Sequence, residues 1–419
     1  YRPRVDHQTL AKYSKGLICS SACALGEIPQ AIAKGDLNEA KKTAEFFLNL
    51  FGKDFYLEIQ RHRHDEFLDL IKDPELKKEV EEVGSIEKKV NEGIIKLSRE
   101  MGIPIIATND AHYIKKEDAH AQDALVCIAT GKQVADTKRM RYIDSPTFYL
   151  TSPDEMYKLF SDVPEALENT SKIADKCDLD ITLGEWYFPK YALPEGVSAD
   201  EQLRNLAKTR IKEKIHKCTK EIMDRLDYEM DIICKKGYAP YFLIVMDMVN
   251  WANSQGIVTN TRGSAAGSLT SYVLGITTVN PIEYNLPFER FLNPYRPSPP
   301  DIDFDVSDNR REDIIKYICD TYGHDKVAQI CTFGRMLAKG SVRDVARVLG
   351  YPYATGDRIS KLIPMGSQGF PMTIEKALNV APELKSVYDE DKDAKNIIDL
   401  AKEIEGSARH ISVHAAGVV

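Results

Sequence analysis

The chain has no CxxC pair. Its eight cysteines, at positions 19, 23, 127, 177, 218, 234, 319 and 331, follow no regular framework, which argues against a disulfide-stapled scaffold and fits a reducing, cytosolic compartment. No apolar run approaches the length needed to cross a bilayer, so a membrane role is not expected. Also missing are a Ser-His-Asp or Cys-His arrangement with recognisable local sequence, which leaves covalent nucleophilic catalysis without support, and any internal repeat or low-complexity segment. Positive charge is not in surplus either. The net charge of −8 argues against binding nucleic acid by bulk charge, while leaving room for local basic faces. The sequence starts Tyr1-Arg2-Pro3-Arg4, without an initiator Met or the apolar core of a secretory signal, and stops inside the apolar, strand-like His414-Ala415-Ala416-Gly417-Val418-Val419. We read it as an internal piece of a longer protein.

With 419 residues, 43% hydrophobic and 29% charged, the chain is expected to bury the cores of two or three globular domains. Between residues 16 and 112, short apolar runs (Gly16-Leu17-Ile18, Phe55-Tyr56-Leu57-Glu58-Ile59, Ile103-Pro104-Ile105-Ile106-Ala107) alternate with stretches of helical period at 37–50 and 86–101. That alternation predicts βα units with a largely parallel sheet or barrel, whose active groups lie at the carboxyl ends of strands, where Glu58, His62, Asp110 and His112 fall. Helices dominate from 152 to 178, and one long charged helix is expected over about 199–236. An apolar core segment opens at Tyr238, short elements punctuated by Gly and Pro run from 257 to 306, and helix resumes after Asp308.

The most informative stretch is Pro300-Asp301-Ile302-Asp303-Phe304-Asp305-Val306. In an extended strand a period of two sends the three carboxylates to one face, a repulsive arrangement that divalent cations would neutralise, as in a two-metal site for phosphoryl transfer. The competing reading is a loop of solvated charge; the apolar pattern of Ile302, Phe304 and Val306 favours the strand. Upstream, Thr261-Arg262-Gly263-Ser264-Ala265-Ala266-Gly267-Ser268-Leu269 precedes a helical pattern. Its glycines would let backbone approach a phosphate, its helix start would offer free N–H groups, and Ser264 and Arg262 would add donors. Such runs are also common as plain tight helix starts. Arg290 stands as either a phosphate contact or the partner of Glu289. After Thr332-Phe333-Gly334, residues Arg335, Lys339, Arg343 and Arg347 recur every four positions and would form a basic stripe that tracks nucleic acid or clamps a triphosphate, or else a solvated helix face. In the N-terminal part, Asp110 and His112 at a strand end could share Zn²⁺, Mn²⁺ or Mg²⁺, with His62, Glu58 and Cys23 as possible completing ligands or as ordinary groups. His64 and His120 read as surface residues.

Taken in order, these motifs resemble the C-family of bacterial replicative DNA polymerases, the polymerase III alpha subunits. The matching stretches are Arg262 to Ser268, Phe288-Glu289-Arg290-Phe291-Leu292-Asn293-Pro294, Pro300-Asp301-Ile302-Asp303, Thr332-Phe333-Gly334 with Lys339 and Arg343-Asp344-Val345, and His414-Ala415-Ala416-Gly417. Phe55-Tyr56-Leu57-Glu58-Ile59-Gln60 and Ala107-Thr108-Asn109-Asp110-Ala111-His112-Tyr113 are similar to that family's polymerase-and-histidinol-phosphatase (PHP) domain. The resemblance implies a multidomain α/β and α+β chain: the C-terminal part of a PHP-type βα barrel at 1–170, a polymerase-beta-like nucleotidyltransferase palm at 171–332, a helical thumb at 333–411, and a return to the palm at 412–419.

It further implies DNA-directed DNA synthesis, with Asp301 and Asp303 holding two Mg²⁺ ions and Gly263 and Ser264 holding the incoming triphosphate. Arg262, Arg290, Lys339 and Arg343 become phosphate contacts, and Asp110, His112 and Cys23 ligands of a Zn²⁺ or Mn²⁺ site in the PHP domain. The implied partners are primer-template DNA, deoxynucleoside triphosphates and, through regions outside this chain, a sliding clamp, a clamp loader and other replisome subunits, in the cytoplasm. A third catalytic aspartate is expected beyond Val419 and the first PHP metal ligands before Tyr1, so the piece alone is expected not to polymerise. The chain departs from the family at Thr259-Asn260-Thr261, where Gly-Pro-Gly is usual, at Val306 in place of Phe, and at Arg335 in place of a small or polar residue. Two other functions stay open: a phosphoesterase or 3′–5′ exonuclease in the PHP domain, and a non-catalytic module whose acidic strand is structural.

Overall fold

The computed structural model describes residues 4–185, 187–295, 299–366 and 370–419. They group into two compact units, one formed by the stretch through Asp180 with Phe333–Ile411, the other by Ile181–Thr332 with Ser412–Val419.

In the first unit, β1 (Cys19–Ser20), β2 (Phe55–Gln60) and β3 (Ile105–Thr108) form a parallel sheet in that order, with Cys19 opposite Phe55 and Leu57 opposite Ile105. Parallel strands need crossovers, and helices supply them: Glu27–Lys34 and Leu37–Phe51 lead from β1 to β2, and Pro74–Met101 from β2 to β3. Their starts are encoded locally. Asp36 accepts from the Glu39 N–H, and Asp73 accepts from Glu75 and Leu76 with Pro74 in the first turn. β2 is buried on both faces, as its nearly unbroken apolar run requires, and Leu57 and Ile59 pack with Ile28, Ile94 and Phe160. A second core of the same unit joins helices Ala338–Val348, Tyr353–Leu362 and Lys392–Ile404 to helix Ala119–Thr130 through Val342, Ile359, Ile397 and Ala121.

In the second unit, β4 (Thr259–Arg262) pairs antiparallel with β5 (Asp303–Val306). The helix expected over 199–236 is two helices, Ala199–Lys214 and Lys220–Lys235, because Thr219 caps the second through the Ile222 N–H. Helix Ala239–Ser254 carries the apolar segment read at Tyr238, and its Phe242 and Leu243 share a core with Leu203, Ile233 and Phe288. Ile302 and Phe304 pack against that core from the aspartate stretch.

A third sheet pairs β6 (Gln329–Arg335) with β7 (Ala408–Val418). Arg335 therefore ends a strand and is not on the basic stripe, whose helix begins only at Ala338. Gly334 permits this pairing, since a Cβ there would meet the His410 ring at 2.5 Å. Among the described residues no helix is long and apolar enough to cross a membrane, and all eight cysteines are free.

Candidate active site

The pairing of β4 with β5 places Arg262 opposite Asp303 and Asn260 opposite Asp305. Alternation then puts these four side chains on one exposed or half-exposed face and turns Thr261, Phe304 and Val306 inward. Asp301 precedes β5 and is exposed. Among the described residues Arg262 offsets part of the like charge. Arg262 Nε donates to both oxygens of Asp305, at 2.9 and 3.2 Å, and Nη1 lies 3.4 Å from Asp303 Oδ2. These carboxylates, Asp305 foremost, hold the guanidinium pKa above its usual value.

Immediately after Arg262 the chain turns at Gly263, with φ +82°, a left-handed conformation that side chains resist. A Cβ on Gly263 would lie 3.5 Å from Asp303 Oδ2, so the glycine-rich turn and the acidic strand, roughly forty residues apart in sequence, are in contact. Ser264 is exposed on the same turn. Arg290 ends a single 3₁₀ turn (Phe288–Arg290) and has no ion-pair or hydrogen-bond partner among the described residues; Glu289 instead accepts from the Tyr228 hydroxyl at 3.0 Å. Lys339 and Arg343 belong to the first unit. Lys339 Nζ reaches Met365 Sδ at 3.8 Å and Arg343 pairs with Asp357 at 3.1 Å, so neither is an unengaged cation; Arg347 lies 3.9 Å from Asp344.

One expectation about the turn fails. The N–H groups at the start of helix Leu269–Val273 are already taken. Glu229, fully buried, accepts from the Leu269 and Thr270 N–H groups at 3.0 and 2.9 Å and from the Ser268 hydroxyl at 2.9 Å, while Ser268 Oγ accepts from the Ser271 N–H. The helix start is thus capped from within, and only backbone N–H groups of the turn before it are left for a ligand. Glu229 and its partner Arg225 were missed in the sequence. The signal was a carboxylate on the apolar stripe of Leu226, Met230 and Ile233. Tyr241 was missed as well. Half-buried, it feels the Asp301 and Asp303 charges beside Ile302, and burial foremost raises its pKa.

In the first unit, Cys23, Glu58, His62 and Asp110 line one cleft of about 530 Å³ together with His64 and Glu87. Glu58 is fully engaged, accepting from the Ser20 and Thr108 hydroxyls and the Gln60 amide, which ties the ends of all three strands together. His62 is 4% exposed and stacks on Phe148 at 3.8 Å; burial pushes its pKa down to about 3, and its Nε2 has no hydrogen-bond partner among the described residues. His64, read as a surface residue, has a side chain only 11% exposed, 3.8 Å from Glu87, whose carboxyl burial pushes up to about 7. His120 is exposed as expected. Asp110 takes a left-handed conformation with φ +45°, and His112 Nδ1 donates to the Asp110 carbonyl at 2.6 Å.

Among the described residues no three His, Cys, Asp or Glu side chains stand close enough to hold an ion. For the N-terminal cleft this is a misfit, because Zn²⁺ takes three or four protein ligands. For the acidic strand it is not, because Mg²⁺ is commonly held by one or two carboxylates plus water and substrate phosphates, and Asp301 and Asp303 are hard-oxygen groups of that kind, Asp303 beside the turn.

A family model described as the bacterial DNA polymerase III alpha NTPase domain matches residues 201–419, and one for the PHP domain matches residues 1–62. Proteins named DNA polymerase III subunit alpha are similar along essentially the whole chain: 43% identical in Borreliella burgdorferi, 38% in Pseudomonas fluorescens and 36% in Thermus aquaticus, over 100%, 99% and 100% of this chain. The chain spans 35%, 34% and 38% of the length of those relatives.

Proposed function

Because the chain belongs to the bacterial DNA polymerase III alpha family, we propose that it carries the nucleotidyl-transfer site of a replicative DNA-directed DNA polymerase, acting in the cytoplasm on primer-template DNA and deoxynucleoside triphosphates. The observation that carries this reading is the contact between the Gly263 turn and the Asp303 carboxylate, which brings a glycine-rich turn with backbone donors against a metal-suited oxygen.

In the reaction the primer 3′-oxygen bonds to the α-phosphorus, the bond to the β-phosphate oxygen breaks, pyrophosphate leaves and the hydroxyl proton passes to solvent. Asp301 and Asp303 would hold Mg²⁺, which when bound supplies charge neutralisation and a more acidic 3′-hydroxyl. The N–H groups of the Gly263–Ser264 turn and Arg290, which has no partner among the described residues, bind and orient the triphosphate. Arg262 stays beside the carboxylates it balances and is within reach of the same phosphates. DNA binding is backbone-directed and salt-sensitive, as a sequence-indifferent enzyme requires. We assign the 171–332 and 412–419 stretches to a palm and 333–411 to a thumb, a division supported by unit limits at 332/333 and 411/412; a clamp, clamp loader and other replisome subunits are partners of the parent protein.

Primer extension in Mg²⁺ by the full-length parent protein tests this. Wild type extends and folded Asp301→Ala and Asp303→Ala variants do not; extension that survives both changes makes the acidic strand structural and ends this assignment.

A further inference from the structure

The glycine-rich turn is held from behind by an ion pair that no motif contains, between buried Glu229 and partly exposed Arg225. Glu229 takes the Ser268 hydroxyl and the Leu269 and Thr270 N–H groups. Arg225 Nε donates to Glu229 Oε1 at 2.7 Å, and its Nη2 continues to two carbonyls, Gly267 at 3.1 Å and Leu286 at 3.3 Å. The second carbonyl matters because it belongs to the segment that leads through buried Phe288 to Arg290. At the same place Gly267 touches that segment directly, since a Cβ there would fall 2.7 Å from the Pro287 carbonyl oxygen. Turn and Arg290 segment are therefore joined twice, by Arg225 and by the Gly267–Pro287 contact.

We propose that Arg225 and Glu229 are positioning residues for the incoming triphosphate: they weld the Gly263–Ser268 turn to the 286–290 segment, so that the turn's N–H groups and the Arg290 guanidinium face the ligand as one pre-set cradle. This rests on the polymerase reading above. Neither residue needs to touch the nucleotide. Glu229 has no exposed surface, and all its acceptor capacity is spent on the turn and Arg225. A preset cradle removes the ordering cost from nucleotide binding, so loosening it weakens nucleotide affinity before it slows chemistry.

The test is single-nucleotide incorporation by the full-length parent protein, wild type against Glu229→Gln and Arg225→Lys, with KM for the nucleotide, kcat, primer-template affinity and thermal midpoint measured together. Glu229→Gln sets an amide donor against the donors it must accept, so KM for the nucleotide rises about tenfold while kcat and DNA affinity stay within about threefold. Arg225→Lys, which keeps the charge but cannot reach both carbonyls, gives a smaller rise in the same constant. An unchanged KM in a folded variant overturns the proposal, as does a parallel fall in KM-independent rate, DNA affinity and melting, which is the pattern of a merely structural pair. If Glu229→Gln does not fold, Ser268→Ala decides, with a KM rise of about threefold expected and no rise overturning the proposal. Failure of wild type to extend, or extension that survives Asp301→Ala, removes the polymerase reading and this inference with it. Extension that needs Asp301 but ignores Glu229 and Arg225 removes this inference alone.

Discussion

Replacing Asp303 by Asn, with Asp305→Asn beside it, separates a carboxylate that holds a metal from one that is only neutralised. Both lie on the same face of β5, about half exposed, and both changes keep size and shape. Arg262 is bound mainly to Asp305, at 2.9 Å, and only loosely to Asp303, at 3.4 Å. If charge balance were all that mattered, Asp305→Asn would be the more harmful change. Solvated ion pairs contribute little to folding, so each variant should melt within about 2 °C of wild type. Catalysis ranks them the other way. Loss of one of two metal-holding carboxylates withdraws about 4 kcal/mol of transition-state stabilisation, which at about 1.36 kcal/mol per decade is roughly a thousandfold in kcat. Asp305→Asn should cost no more than about tenfold, through freer motion of Arg262. The assay is extension of a labelled primer by one nucleotide in Mg²⁺, using the full-length parent protein, with melting curves for both variants. Equal losses, or an Asp303→Asn enzyme within tenfold of wild type, would refute the assignment.

Gly267→Ala forces a methyl group against the Pro287 carbonyl at 2.7 Å, and the backbone shift this requires should cost about 1–3 kcal/mol, read as a lower denaturation midpoint. Tyr241→Phe removes the hydroxyl beside the Ile302 backbone, at a cost of about 1–2 kcal/mol, and should raise the Mg²⁺ concentration needed for half-maximal extension; an unchanged Mg²⁺ curve would detach Tyr241 from the site. Glu87 has an ordinary carboxyl pKa of 4.5 when unfolded and is pushed up to about 7 by burial when folded, so the native state holds the extra proton between those values. Its contribution to stability is full below pH 4.5 and is lost as pH rises to about 7, on the order of 3 kcal/mol in all. Urea titrations across that range should show this loss in wild type and its disappearance in Glu87→Gln.

Much of the molecule was legible because the relevant physics is local. The apolar runs at 55–59 and 103–107 became neighbouring parallel strands, and Asp36 and Asp73 start helices as capping chemistry dictates. The ordered motifs from Arg262 to His414 carried the family resemblance that comparison with whole relatives bears out. His64 was misjudged because residue type says nothing about burial: it lines the same cleft as buried His62 and lies beside Glu87 of helix Pro74–Met101, and desolvation, not sequence context, foremost sets its state. Arg335 was misplaced because a period of four is compatible with a helix until Gly334 and its pairing partner claim the segment for a strand.

The sequence by itself determined the period-two aspartates, the permissive glycines at 263 and 267, the helix caps and the family. The first three depend on bonds and torsions within a few residues, and the family on the order of short motifs along the chain. Only the tertiary structure decided that Arg262 faces Asp303 and Asp305, that Gly263 rests against Asp303, that Glu229 rather than a ligand caps Leu269–Val273, and that Arg225 joins the turn to the Arg290 segment. Those contacts link residues about forty to sixty positions apart, and their energies come from burial and charge compensation that exist only once the chain has closed on itself.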